Sequence, residues 1–274
     1  MRTFVLGDIH GAWRALKQVL WKCGIDREKD RLIFVGDICD GWPEVRQCVD
    51  ELLTFKDGIN ILGNHDEWFL RWLSTGVHPD HWTQGGEGTL LSYAEAVDKV
   101  QTEDFGDGYQ PLRYAVDLNP YDVPVEHHHF FKRMVLYHHD TERNYCFVHG
   151  GFSRISPIRD QAQSNPRELY WNRTLWNLAQ GCEEGVKLKT KDDFDLIFIG
   201  HTATTSFRVK ETFTEGGIIM PWGEKITWPM YRGGIWNVDT GAGWDGKLTI
   251  MDVDTKEYWQ SDPVKELYPD VRGR

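Results

Sequence analysis

Thr3-Phe4-Val5-Leu6-Gly7-Asp8-Ile9-His10-Gly11 sets an apolar run directly against a glycine and two polar side chains. The same grammar recurs: Leu32–Val35 runs into Gly36-Asp37, and Ile59–Leu62 into Gly63-Asn64. Short runs of Val, Ile, Leu and Phe predict strands buried on both faces. The segments that follow them, Trp13–Lys22, Glu44–Phe55 and Glu67–Leu73, carry apolar residues at helical spacing, and Pro43 suits the first turn of its helix. Strand–helix units in succession predict a layered α/β core, whose ligands gather beyond the carboxyl ends of the strands.

Further along, the pattern changes. From about Thr75 to Asp140 glycines and prolines punctuate the chain, and only Thr89–Val100 reads as a helix. This predicts a cap or lid inserted into one domain spanning residues 1–274, not a separate folding unit. Strand signals return at Tyr145–Val148 and Leu196–Ile199, ending at His149-Gly150-Gly151 and Gly200-His201, with a helix expected over Arg167–Gln180. Period-two runs at Ile235–Asp239 and Lys247–Val253 predict a second sheet. Asp262–Arg274 is polar and reads as a loose tail.

Composition narrows the function classes. With 42 acidic against 31 basic residues the formal net charge is −11, which disfavours duplex nucleic acid as a partner. Divalent metals can still invert the field locally and admit phosphate. Five scattered cysteines without a CxxC pair argue against a disulfide framework or a structural zinc site. No apolar run is long enough to cross a bilayer, and Met1 leads straight into a strand, so no membrane partner is expected and the reading is cytoplasmic.

The strand ends deliver, in order, Asp8 and His10, Asp37, Asn64 and His65, His149, and His201. Taken singly, a Gly-Asp pair after a strand is a turn or a helix cap, and a lone histidine is a packed or surface residue. Five successive strand ends each carrying a metal-competent side chain beside glycine outweigh those readings. Oxygen and imidazole donors without thiolate suit Mn²⁺ first, with Fe or Zn²⁺ as alternatives. A carboxylate can bridge two ions roughly 3.5–4 Å apart, which clamp the oxygens of an in-line displacement.

Gly7-Asp8-Ile9-His10-Gly11, Gly36-Asp37-Ile38-Cys39-Asp40, Gly63-Asn64-His65-Asp66, His149-Gly150-Gly151 and Gly200-His201-Thr202 together resemble the ordered motifs of the calcineurin-like metallophosphoesterases. The phosphoprotein-phosphatase branch, with its small bacterial and phage enzymes and symmetrical dinucleoside tetraphosphatases, is the most similar. The resemblance implies a four-layered α/β/β/α sandwich of two mixed sheets with an inserted cap. It also implies two divalent metals, one held by Asp8, His10 and Asp37, the other by Asp37, Asn64, His149 and His201. A metal-bridging hydroxide would attack phosphorus in line, with His65 as general acid oriented by Asp40. An imidazole titrating near neutral pH would serve that role.

One departure matters. The family motif continues Asp-Arg-Gly, and its arginine grips phosphate; here Asp40 is followed by Gly41-Trp42-Pro43. Arg173, in Trp171-Asn172-Arg173, would then hold the phosphate oxygens with the metals alone. Trp42, and Trp82-Thr83-Gln84-Gly85-Gly86 in the cap, are expected to shape the substrate cleft, and Asp239-Thr240-Gly241-Ala242-Gly243 resembles a late family segment near the site. The histidines His127–His129, His138 and His139 invite a second metal site, but a solvated surface is the better reading. The leading expectation is a protein serine/threonine phosphatase-like enzyme acting on a phosphoprotein or small phosphomonoester. A dinucleoside polyphosphate hydrolase is the alternative. A catalytically silent binding module is disfavoured, because no metal position or proton donor is lost.

Overall fold

The computed structural model describes residues 1–80, 82–103, 113–209, 223–271 and 273–274. In chain order the strands are β1 (Thr3–Leu6), β2 (Arg31–Phe34), β3 (Asp57–Asn60), β4 (Val100–Glu103), β5 (Arg113–Val116), β6 (Tyr137–Asp140), β7 (Tyr145–Val148), β8 (Leu196–Ile199), β9 (Met230–Arg232), β10 (Ile235–Asn237), β11 (Thr249–Asp252) and β12 (Tyr258–Gln260). The helices are α1 (Trp13–Cys23), α2 (Val45–Leu52), α3 (Asn64–Thr75), α4 (Gly86–Ala94), α5 (Val125–Lys132), α6 (Ile158–Ser164), α7 (Arg167–Trp171), α8 (Thr174–Gln180) and α9 (Val264–Leu267).

Two mixed five-stranded sheets, ordered β12-β11-β1-β2-β3 and β6-β7-β8-β10-β9, carry the fold. Each contains three parallel strands: β1, β2 and β3, running to the edge of the first, and β7, β8 and β10, at the middle of the second. The alternation within β1 shows how the layers form. Phe4 and Leu6 point outward into a core shared with Ala15, Leu16 and Val19 of α1 and with Val45 and Val49 of α2. Val5 points inward with Ile33 to meet Phe147 and Phe198 from the second sheet. The rings of Phe147 and Phe198 stack there, 4.8 Å apart at 8°. On the far side, Cys146 and Val148 pack under Leu169, Leu175 and Trp176 of α7 and α8. The result is the four-layered α/β/β/α order, with apolar faces buried on both sides of each sheet.

The expected helix over 167–180 is two helices. Asn172 leaves the helical conformation and its Oδ1 accepts the Leu175 N–H at 2.9 Å, so it ends α7 and caps α8. The expected helix over 89–100 begins earlier, as α4, and stops sooner. Asp98 adopts φ +55°, and Val100 opens a hairpin strand paired with β5. Phe69 of α3, Trp82, Tyr93 of α4 and Phe131 of α5 all join the core beneath β1.

The described residues of 262–274 are not a loose tail. Val264 and Tyr268 are buried, and Tyr268 stacks on Trp42 at 4.9 Å while its hydroxyl accepts the Arg14 N–H at 3.0 Å. Leu267 and Val271 pack beside them, so four side chains at irregular spacing dock the stretch, a signal too irregular for a periodicity test. Truncating a buried aromatic leaves a cavity, so Tyr268→Ala should cost about 3 kcal/mol of unfolding free energy in a urea titration. A cost within about 0.5 kcal/mol of zero would return this stretch to the surface.

Candidate active site

The carboxyl ends of the parallel strands converge. Asp8 follows β1, Asp37 follows β2, Asn64 opens α3 after β3, His149 follows β7 and His201 follows β8. All five side chains and His10 are buried. Two groups of ligand atoms form, Asp8–His10–Asp37 and Asp37–His149–His201, the atoms of each lying within 4.8 Å of one another. Asp37 Oδ2 belongs to both: it lies 3.7 Å from His10 Nε2 and 3.2 Å from His149 Nε2. Asn64 Oδ1 is 3.3 Å from His149 Nε2.

Backbone strain marks the same place. Of eight non-glycine residues with positive φ among the described residues, four are His10, Asp37, Asp40 and His201, which identifies the region where the fold holds costly conformations. Asp66 stabilises one of them. Its carboxylate accepts N–H bonds from Asp37, Ile38, Cys39 and Gly63, clamping the loop that carries Asp37 to the start of α3. Gly63 and Gly200 leave room for ligands, since a Cβ at either would fall on an oxygen of Asp37 or Asp8.

The donors suit divalent cations. His10 Nδ1 is held by the Cys39 and Asp40 carbonyls, and His149 Nδ1 by that of Val35, so each ring turns Nε2 to the centre. Asp8 Oδ1 and His201 Nε2 are buried with no hydrogen-bond partner, a costly state that a bound cation relieves. Charge tells the same story. Burial, with Asp239 and Asp37 nearby, pushes Asp8 well above the usual carboxylate range. Burial opposes a charge on His149 too, but Asp37, Asp8 and Asp66 outweigh it and raise that imidazole to about 9. A cluster that draws a proton onto a buried histidine is short of positive charge.

The sequence profile of the calcineurin-like phosphoesterases matches residues 1–204. This chain is a calcineurin-like phosphoesterase. Relatives include proteins named symmetrical bis(5'-nucleosyl)-tetraphosphatase from Pseudomonas fluorescens, 23% identical over 94% of this chain and 93% of the relative, and from Cellvibrio japonicus, 24% identical over 93% and 96%. Similar solved structures are a metallophosphoesterase from Sphaerobacter thermophilus (TM-score 0.52, 17% identity, 98% and 94% coverage) and a protein serine/threonine phosphatase from Saccharomyces cerevisiae (TM-score 0.53, 12% identity, 100% and 82% coverage). The phosphoesterase is thus a metal-dependent phosphoric ester hydrolase.

Around the ligand groups, the phosphoesterase places several other residues. Asp40 is fully buried rather than a solvent-facing turn. Its Oδ2 lies 2.8 Å from His65 Nδ1, while Oδ1 accepts from Trp82 Nε1 at 3.0 Å and Thr89 Oγ1 at 2.7 Å. Trp82 and Thr89 thus tie the cap to the site; nothing in its sequence context distinguished Thr89. Burial drives His65 down to about 3, so its imidazole is neutral here and does not titrate near neutral pH as expected. A phosphate anion beside it would raise that value.

Arg173 stands at the start of α8, and its charge acts on His65 and His201. Arg274 was missed altogether: its Nη1 lies 3.1 Å from His10 Nε2. Trp42 lines a cavity together with Trp244 and Arg274 but has no free face for stacking on a substrate. It is 1% exposed, donates Nε1–H to the Ala242 carbonyl at 2.7 Å and lies under Tyr268, whereas Trp244 is 49% exposed. Asp239 does lie near the centre, where burial raises it to about 6. His127 is a packed core residue, not a surface one, bonded to the Tyr93 hydroxyl and Asp50.

Because Asp37 serves both groups, Asp37→Asn should lose divalent metal from both, and Gly63→Ala should copy much of that loss by displacing Asp37. Metal stoichiometry after dialysis, with far-UV circular dichroism to confirm the fold, is the check. Retention of two equivalents in Asp37→Asn would separate the groups.

Proposed function

We propose that this phosphoesterase hydrolyses dinucleoside polyphosphates, adding water across a central phosphoanhydride to release two nucleoside phosphates. The observation that carries this reading is a cavity of about 500 Å³, lined by Thr205, Arg208, Lys225, Trp244, Lys265 and Arg274, that begins at Arg274 beside His10. Its four cations, Lys225 paired with the cavity's one carboxylate Asp245, and a half-exposed indole suit a phosphate chain ending in a nucleobase. A monoester needs only one phosphate's grip. The names of the near-full-length Pseudomonas and Cellvibrio relatives support the same substrate class. The phosphoprotein reading takes second place, because the likeness to the yeast phosphatase is one of fold alone.

In this reading Asp8, His10 and Asp37 hold one divalent ion, and Asp37, Asn64, His149 and His201 the other, with Mn²⁺ favoured by the oxygen and imidazole donors. The pair supplies charge neutralisation and water activation. The chain's own residues do the rest. Asp40 fixes His65 through Nδ1; once a bound phosphate anion raises its affinity for a proton, the imidazolium carries on Nε2 the proton it hands to the departing oxygen. Arg173 presents a planar fork to the phosphoryl oxygens.

The test is a panel with the Mn²⁺-loaded protein: diadenosine tetraphosphate, a phosphopeptide and an alkyl phosphate. Diadenosine tetraphosphate should exceed the phosphopeptide in kcat/KM by at least about tenfold, with ADP as the sole nucleotide product. The reverse order would restore the protein phosphatase. His65→Asn should lose ~10²–10⁴-fold on the alkyl phosphate, and much less on the dinucleotide, whose leaving diphosphate is already a stable anion. Equal losses would make His65 a structural residue.

A further inference from the structure

Gly41 leaves the site without its motif arginine, yet a second guanidinium is present. The aliphatic stem of Arg274 runs along three glycines. A Cβ at Gly41, Gly85 or Gly243 would stand 3.5, 3.0 or 3.2 Å from its Cγ or Cδ. Gly41 itself has φ +130°, a conformation that disfavours any larger residue there. The backbone N–H of Arg274 donates to the Gly243 carbonyl at 2.9 Å and anchors the residue. Its guanidinium lies 5.4 Å from the Trp244 ring centroid, at the junction of the ligand groups and the cationic cavity.

That guanidinium is underused. Among the described residues its side chain has one hydrogen-bond partner, His10 Nε2, and its Nε is buried with none. Five N–H donors beside a neutral imidazole leave most of the fork unspent. Among the described residues no carboxylate forms a salt bridge with it, although its charge is felt by His10, His65, Asp40, Asp239 and Arg173. A half-buried fork with no anionic partner, inside a site for phosphate esters, is an anion site waiting for its anion. His10 Nε2 cannot serve both this guanidinium and a metal ion, so metal loading frees Nη1 as a further donor.

We propose that Arg274 grips the substrate phosphate, its stem laid in the groove of Gly41, Gly85 and Gly243, and shares that task with Arg173. The inference rests on the hydrolase reading but not on which phosphate ester is the substrate. It replaces the expectation that Arg173 and the metals act alone.

Inorganic phosphate is the probe, binding to the Mn²⁺-loaded protein by calorimetry and competing with an aryl phosphate in steady-state assays. Arg274→Gln keeps the stem and removes the charge. It should weaken phosphate binding and raise KM by roughly ten- to a hundredfold, with a smaller change in kcat and no loss of metal. Arg274→Lys should recover part of the affinity as a point charge without the fork. Unchanged phosphate affinity in Arg274→Gln would overturn the proposal, as would loss of metal from both variants, which would make Arg274 a support for His10. Failure of the wild-type protein on diadenosine tetraphosphate, with the phosphate effect intact, would sink the substrate assignment and leave this inference standing.

Discussion

A single carboxylate oxygen joins the two halves of the site. Asp37 Oδ2 faces His10 Nε2, whose ring comes from the first sheet's side, and His149 Nε2, which leaves the second sheet at the end of β7. The sheets pack through Val5, Ile33, Phe147 and Phe198, so the inter-sheet core fixes the distance between those imidazoles. Asp66 then fixes Asp37, with four backbone N–H bonds holding a loop that would otherwise relax out of its left-handed conformation. Burial opposes a charge on Asp37, but His149, His65 and His10 keep it well below the usual carboxylate range. Fold energy is thus stored as a concentration of charge, held by partners such as Asp66 around Asp37 but leaving Asp8 Oδ1 and His201 Nε2 buried without one.

What the sequence revealed was whatever repeats locally. Strands β1, β7 and β8 fall on the residues expected, since short unbroken apolar runs have one reading when glycine ends them. The ligand positions were legible for the same reason: each lies within two residues of the glycine that lets the chain turn. Tertiary choices were not legible. Thr89, Trp82 and Asp40 meet through hydrogen bonds spanning more than forty residues, and no local pattern announces them. The two tryptophans separate the cases well. Trp42, beside the Asp40 motif, is consumed by Tyr268 and the Ala242 carbonyl, whereas Trp244, directly after the Asp239–Gly243 segment, is the exposed ring. Proximity to a motif did not tell the two indoles apart; burial did.

The cap shows why Asp40 differs from a helix-capping aspartate. Burial raises it to about 7 even with hydrogen bonds from Thr89 and Trp82 opposing the rise. A carboxylate so poorly solvated holds its imidazole partner strongly, since little water competes for either. The cap thereby sets the dielectric around His65 without touching the ligand groups. That position separates two functions: the strand ends decide whether cations bind, and the cap decides how His65 is oriented and how readily it takes a proton.

Charge also constrains how a phosphate chain could arrive. With a formal net charge of −11 the chain repels polyanions, although at physiological salt that repulsion fades beyond about 8 Å. Attraction must therefore be local, and the cations at the mouth, Arg208, Lys225 and Arg274, are not equally available. Lys225 is paired with Asp245 at 2.5 Å, and Arg208 spends Nη1 on the Thr205 and Phe207 carbonyls. Deeper in, Asp8, Asp37 and Asp239 would repel a phosphate that reached them without metal. The same carboxylates attract divalent cations, and once neutralised they present a positive field to the next anion. Affinity for phosphate would in this way be coupled to metal loading, with the cations bound before the substrate.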